Sequence, residues 1–137
     1  MTPGSATRPS LRGRLRLWLP VALLAGVQFW LSSRSHLPEV LPPFPGVDKI
    51  VHLGWFSLLA LFAYRAGREA EGWSRSRTVT TLLLAAAAWG ASDEWHQSFV
   101  PGRAVEAADF AADVAGTALG AVVADPLLRR LGLVASR

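Results

Sequence analysis

The sequence has no cysteine among its 137 residues. Disulfide bonds, thiolate metal sites and thiol nucleophiles are therefore excluded. Charge is also scarce, because Asp, Glu, Lys and Arg make up 18% of the chain, against about a quarter in typical soluble domains. Hydrophobic residues supply 51% and are concentrated in long runs, which a soluble core does not require. A chain of this length forms one domain, and its composition indicates an integral membrane protein.

Four apolar runs organise the chain, at residues 15–33, 50–66, 78–92 and 105–128. Crossing a hydrocarbon core of about 30 Å takes about 20 helical residues, so the second and third runs are short. Four such runs with little charge between them favour membrane spans over the buried helices of a soluble protein. The sequence predicts an all-α, integral membrane four-helix bundle with short connections.

The predicted membrane domain covers residues 15–128, between a disordered basic tail at 1–14 and a basic tail at 129–137. The first run has the basic start of a signal peptide, but it is long and lacks a clear cleavage site, so an uncleaved span is preferred. Four prolines in residues 37–46 predict an extended or turned connection there.

Basic residues predict the orientation. Eleven of the 14 lie in the two tails and the second connection, and three lie in the other two connections. Because Lys and Arg are retained on the cytoplasmic side, we predict a multi-pass protein of the bacterial cytoplasmic membrane with both termini cytoplasmic. The net charge of +4 does not indicate nucleic acid binding, since the basic residues flank apolar runs and form no single patch.

Acidic residues and histidines gather on the opposite, outer half. The seven acids there are Glu39, Asp48, Asp93, Glu94, Glu106, Asp109 and Asp113, and the histidines are His36, His52 and His96. Ionisable groups at membrane depth are costly unless they pair or face water, so they are candidates for a functional site. We therefore place the site in the outer half, between the second, third and fourth helices.

Spacing predicts how these side chains converge. Asp48 and His52 are four residues apart on one helix face, as are Asp93 and Gln97. The third run is too short for the hydrocarbon thickness, so either the membrane thins there or the helix continues through Asp93, Glu94 and Gln97. These pairs are therefore expected on helices two and three, near the membrane boundary.

One stripe of the fourth run is acidic at its outer end and small at its inner end. Asp109, Asp113, Gly116 and Gly120 follow at helical spacing. The two glycines form a GxxxG pattern, which permits close helix contact. We predict that this helix packs centrally with its acids turned inward, and an oligomer through Gly116 and Gly120 is left open.

Three motifs carry a family resemblance. They are Asp48–Lys49–Ile50–Val51–His52; Asp93–Glu94–Trp95–His96–Gln97 followed by Phe99, Pro101, Gly102 and Arg103; and Asp109, Asp113 and Gly116. In them the chain resembles the VanZ-like family of bacterial membrane proteins, named after a teicoplanin-resistance accessory protein, over residues 31–120. The resemblance implies a membrane location and four to five helices, and it supplies no settled reaction. Asp113 departs from the pattern, since Asn is common at its position.

The candidate ligand-binding residues are Asp48, Lys49, His52, Asp93, Glu94, Gln97, Arg103, Asp109 and Asp113. Lys49 and Arg103 are suited to hold a phosphate through charge-assisted hydrogen bonds, or to form buried ion pairs with Asp93 or Asp109.

The catalytic candidates are His52, Asp93 and Glu94, in general acid–base roles. A divalent metal on His52 with Asp93, Glu94 and Asp113 is a weaker alternative, because no motif has dedicated metal spacing. We therefore predict no metal site and leave the cofactor open.

Three functions compete. The first is binding or modulation of a cell-envelope lipid or lipid-linked glycan at the outer leaflet, with an effect on glycopeptide susceptibility. Its expected partners are membrane lipids and a lipid-linked cell-wall precursor. The second is an intramembrane enzyme acting on a lipid-linked phosphate or ester. The third is a small proton-coupled carrier working as an oligomer, since four spans leave little room for a pathway in a monomer.

Overall fold

The computed structural model describes residues 9–35 and 45–134, and these ranges contain four helices and no strand. The helices are α1 (Leu11–Ser32), α2 (Val47–Glu69), α3 (Arg75–Gln97) and α4 (Ala107–Arg130). The all-α four-helix prediction is confirmed. So is the continuation of the third helix beyond its apolar run, through Asp93 to Gln97.

The helices extend beyond the apolar runs at both ends of the chain. Ser10 caps α1, its Oγ accepting a hydrogen bond from Gly13 N at 3.3 Å. Residues 11–14 are therefore helical and are not the disordered tail that the composition suggested, while α4 ends within the predicted C-terminal tail. The predictions for residues 1–8, 36–44 and 135–137 lie outside the described residues.

Each helix runs antiparallel to the one before it. The end of α1 meets the end of α3, where Ser32 donates a hydrogen bond to Asp93 at 2.5 Å. The first turns of α2 and α4 also meet there, through Lys49 and Asp109. We call this the acid-rich end of the bundle. The opposite end, where α1 and α3 begin and α2 and α4 finish, is the arginine-rich end.

Three of the helices, α1, α2 and α4, are long and apolar enough to cross a membrane. Helix α3 has 23 residues but carries charged side chains at both ends, which shortens its apolar stretch. Since four antiparallel helices of similar length lie side by side, the chain is an integral membrane four-helix bundle.

Small residues let α2 and α4 approach closely. A Cβ at Gly116 would collide with the carbonyl oxygen of Leu53, and one at Gly120 with the carbonyl oxygen of Ser57. Asp109 and Asp113 on α4 are buried, which confirms that the acids of this helix turn inward. The close contact predicted for the two glycines is thus made within the chain, and the oligomer through Gly116 and Gly120 stays a prediction.

Candidate functional site

Lys49, in the first turn of α2, is surrounded by carboxylates. Its ammonium group donates hydrogen bonds to Asp48 and Glu106. It also lies 3.0 Å from Asp109 Oδ1, in an ion pair whose angle is outside the range of a hydrogen bond. One lysine thus ties the start of α2 to the start of α4 and partly neutralises three acids.

His52 lies one turn deeper and is held by Asp113. Its Nδ1 is 2.8 Å from Asp113 Oδ1, and its Nε2 is 4.0 Å from Asp109 Oδ2. Only 13% of the His52 side chain and 2% of the Asp113 side chain are exposed. A carboxylate that fixes one ring nitrogen orients the other, and here the second nitrogen points toward the next acid of the α4 stripe.

Asp93 joins α3 to α1. Ser32 Oγ donates to its Oδ1 at 2.5 Å, while Gln97 Nε2 donates to its Oδ2 at 2.9 Å and to Ser32 Oγ at 3.1 Å. All three side chains are buried. Since both oxygens of Asp93 are occupied, the immediate role of this carboxylate is to join the helices.

Glu94 anchors the connection between α3 and α4. Its Oε2 accepts a hydrogen bond from the backbone N–H of Glu106 at 2.7 Å. Gly102, within this connection, has a φ of 82°, in the left-handed region that favours glycine. The turn at Gly102 and the bond to Glu94 together bring residues 103–106 back over the start of α2.

A cavity of about 290 Å³ lies between this connection and the first turns of α2 and α4, and it is partly open to the outside. Its polar or charged lining residues are Asp48, His52, Gln97, Arg103, Glu106 and Asp109. Asp48, Glu106 and Asp109 approach one another closely enough to hold a metal ion, but the Lys49 ammonium contacts all three. An internal cation thus fills the role that a metal would have there.

Arg103 differs from Lys49 in having no ion pair with any described residue. Its Nε is buried and has no hydrogen-bond partner within residues 9–35 and 45–134. The cavity wall therefore contains a guanidinium group whose charge is not taken up by the nearby carboxylates. The ion pair of Arg103 with Asp93 or Asp109 that the sequence left open is not formed, whereas Lys49 does pair with Asp109.

The candidate residues therefore fall into two groups. The cavity is lined by Asp48, His52, Gln97, Arg103 and Asp109, with Lys49 and Asp113 bonded directly to lining residues. Asp93 and Glu94 lie behind this wall, where they bind Ser32, Gln97 and the backbone of Glu106. Of the carboxylates proposed with His52 for a metal, Asp93 and Glu94 are thus engaged elsewhere, and Asp113 contacts the histidine directly.

Sequence reasoning missed Ser32 and did not assign Glu106 to the site. Ser32 lies at the end of an apolar run with no motif around it, so nothing local marks it as a partner of Asp93. Glu106 had a signal, because it is an acid on the outer half just before the fourth helix. Its distance in sequence from Lys49 concealed the ion pair that the two residues form.

Comparison with known proteins identifies the family. A family model described as VanZ/LLP1 matches residues 6–129, nearly the whole chain, and this confirms the resemblance seen in the motifs. Neither a curated protein nor a solved structure matches the chain.

Proposed function

The chain belongs to the VanZ/LLP1 family, and with that premise we propose that its acid-rich end binds the polar headgroup of a cell-envelope lipid or lipid-linked glycan. The cavity lies where the α2 and α4 helices begin, at one end of the apolar spans. A lipid in the adjoining leaflet presents its headgroup at this depth while its chains stay in the hydrocarbon.

The observation that carries the proposal is the free guanidinium of Arg103. A guanidinium pairs with phosphate through two parallel hydrogen bonds, which are stronger than bonds between neutral groups. Arg103 lines the cavity and has no ion pair among the described residues. A phosphate group on the ligand supplies the missing anion.

The acids of the cavity restrict the rest of the ligand. Asp48, Glu106 and Asp109 outnumber the cations Lys49 and Arg103, so a compact, highly charged anion is repelled by most of the wall. Carboxylates accept hydrogen bonds from hydroxyl and amine donors. The ligand that fits therefore has one phosphate near Arg103 and several hydroxyl or amine donors, as the headgroup of a lipid-linked glycan does.

Binding tests the proposal directly. The purified full-length chain is incubated with lipid-linked glycan phosphates and with phosphatidylcholine, and retained lipid is measured by native mass spectrometry. We expect Arg103→Gln to lower glycan-lipid retention about tenfold, the loss of one charge-assisted pair. Arg34→Gln is the matched control, because Arg34 is at the same end but stacks over Trp30 at 4.3 Å. Equal retention by all three proteins contradicts the proposal.

The cellular counterpart is envelope-antibiotic susceptibility. If headgroup binding is the function, Arg103→Gln and a full deletion change glycopeptide susceptibility in the same direction, whereas Arg34→Gln does not. Unchanged glycopeptide and detergent sensitivity in both the deletion and the Arg103 variant counts against a role in the envelope.

The second candidate function is an intramembrane enzyme acting on a lipid-linked phosphate or ester. The bond between His52 and Asp113 favours it, because a carboxylate that orients an imidazole is a recurrent general-base arrangement. His52 itself lines the cavity, beside the position proposed for the same ligand.

Turnover separates the enzyme from a binding protein. Purified protein is assayed on the same lipids with and without divalent metals. The enzymatic proposal expects turnover that His52→Ala abolishes and that His96→Ala preserves, since His96 stacks on Phe29 outside the cavity lining. Failure to turn over any lipid of the panel under either condition rejects this candidate and leaves the binding proposal intact.

A further inference from the structure

The arginine-rich end of the bundle carries more positive charge than its acids can balance. Among the described residues it contains nine arginines, Arg12, Arg14, Arg16, Arg65, Arg68, Arg75, Arg77, Arg129 and Arg130, and three acids, Glu69, Glu71 and Asp125. Retention of positive charge on one side of the membrane accounts for the number of arginines. It does not account for how some of them are buried.

The acids at this end already have partners. Glu71 accepts hydrogen bonds from Arg14, the shortest at 2.6 Å, and another from Trp18 Nε1 at 3.0 Å. Asp125 accepts from the Tyr64 hydroxyl at 2.6 Å and from Arg129 Nε at 2.9 Å. Both oxygens of the buried Asp125 are therefore occupied.

Two further arginines surround the Tyr64–Asp125 pair. Arg68 and Arg75 are within electrostatic range of Tyr64, and Arg75 is also within range of Asp125. Arg75 and Arg129 thus share the Asp125 carboxylate, and Arg68 adds a third guanidinium group beside Tyr64. This group retains an excess of two positive charges.

Arg68 is the critical member. It is only 3% exposed, and it has no hydrogen bond or ion pair within residues 9–35 and 45–134. A buried charge without a counter-ion is strongly unfavourable, because removal from water is not compensated. Arg65, one turn before it, likewise has a buried Nε without a hydrogen-bond partner in the described part of the chain. The end of α2 therefore has the electrostatic character of an anion site.

We propose that Arg68 and Arg75 bind the phosphate group of an anionic lipid in the leaflet at the arginine-rich end. The two residues flank the connection between α2 and α3, at the depth of the headgroups. Guanidinium groups suit phosphate by geometry and charge, and basic sites between membrane helices recur as headgroup sites. The site is at the opposite end of the bundle from the cavity, so it does not depend on the function proposed there.

Lipid retention by the full-length protein tests the proposal. Protein in a mild detergent is mixed with equal amounts of phosphatidylglycerol and phosphatidylcholine and examined by native mass spectrometry. We expect the parent protein to prefer phosphatidylglycerol and Arg68→Gln to lower its retention about tenfold, as loss of one charged pair implies. Arg130→Gln removes the same charge from an exposed position of the same end and is expected to change retention less than about twofold.

Three outcomes overturn the proposal. If Arg68→Gln and Arg130→Gln lower phosphatidylglycerol retention equally, the lipid is attracted by the overall positive charge of this end. If the parent protein retains both lipids equally, it has no site for an anionic lipid. If inorganic phosphate displaces phosphatidylglycerol at a comparable concentration, Arg68 and Arg75 bind free phosphate and not a lipid. If the Arg68→Gln protein loses its helical circular dichroism, Arg75→Gln replaces it as the test variant, because Arg75 is exposed. We then expect Arg75→Gln to lower phosphatidylglycerol retention, and unchanged retention overturns the proposal.

Discussion

Each buried acid of α3 has an identifiable partner. Asp93 is bonded by Ser32 and Gln97, and Glu94 by the backbone of Glu106. The pairing of Asp93 with Gln97 could be predicted from sequence, because the two residues are four apart on one helix. The other two partners could not, since Ser32 and Glu106 reach α3 only when the bundle forms.

A serine substitution measures what the α1–α3 connection contributes. Ser32→Ala leaves a buried oxygen of Asp93 and a buried amide hydrogen of Gln97 without a partner, so we expect the free energy of unfolding to fall by about 1–3 kcal/mol. Denaturant titration in detergent micelles provides the measurement. The control is Ser92→Ala, because Ser92 is exposed and its hydroxyl donates to the carbonyl of Trp89 in its own helix. If both variants lose the same small amount, Ser32 does not join the helices.

At the scale of the helices, the sequence predicted the elements well and their ends less well. The apolar runs marked all four helices, because hydrocarbon burial and helix length are coupled. The predicted start of the first span at residue 15 is too late, since Arg14 bounds the apolar run but pairs with Glu71 within the bundle. Charge alone therefore underestimates a membrane helix whose terminal charges have partners.

The glycines of α4 provide a test of helix packing. We expect Gly116→Ala to lower the free energy of unfolding by about 1–3 kcal/mol, because the new Cβ meets the backbone carbonyl of Leu53 and rigid backbone cannot yield cheaply. Thermal unfolding in the same detergent gives the comparison.

The matched control for Gly116→Ala is Gly54→Ala. A Cβ at Gly54 meets nothing within 4 Å, so this variant is expected to gain roughly 0.5–1 kcal/mol from its helix propensity. A stable Gly116→Ala variant that forms dimers less readily assigns the glycine stripe to an oligomer instead.

For the whole molecule, the distribution of charge predicts an orientation that the fold makes testable. The acid-rich and arginine-rich ends lie at opposite ends of one antiparallel bundle, so they face opposite sides of the membrane. The absence of native cysteine makes single-cysteine labelling unambiguous. We expect a membrane-impermeant maleimide to label Ser98→Cys in intact cells and Ser76→Cys only after permeabilisation. Both positions are exposed, so the reverse pattern contradicts the predicted cytoplasmic termini.

The clustering of most candidate residues could be predicted from the sequence, but the shape of the cluster could not. Helical spacing and membrane depth predict that Asp48, His52, Asp109 and Asp113 gather at one end of the bundle, and the structure brings them together there. The sequence could not show that Lys49 would take up three carboxylates while Arg103 took up none, since that depends on how residues 98–106 turn back over α2. The proposed ligand chemistry rests on this difference.

Photo-crosslinking at the cavity tests the central claim, that the acid-rich end holds a phosphate-bearing headgroup. A photoreactive residue replaces Ala104, which lines the cavity, or Ser98, which is exposed outside the lining. After irradiation in bacterial membranes, we predict a lipid adduct at position 104 whose mass includes a phosphate. The adduct is expected to be lost with Arg103→Gln and absent from position 98. Equal labelling of both positions by bulk phospholipid, or an adduct at 104 that survives Arg103→Gln, contradicts the account.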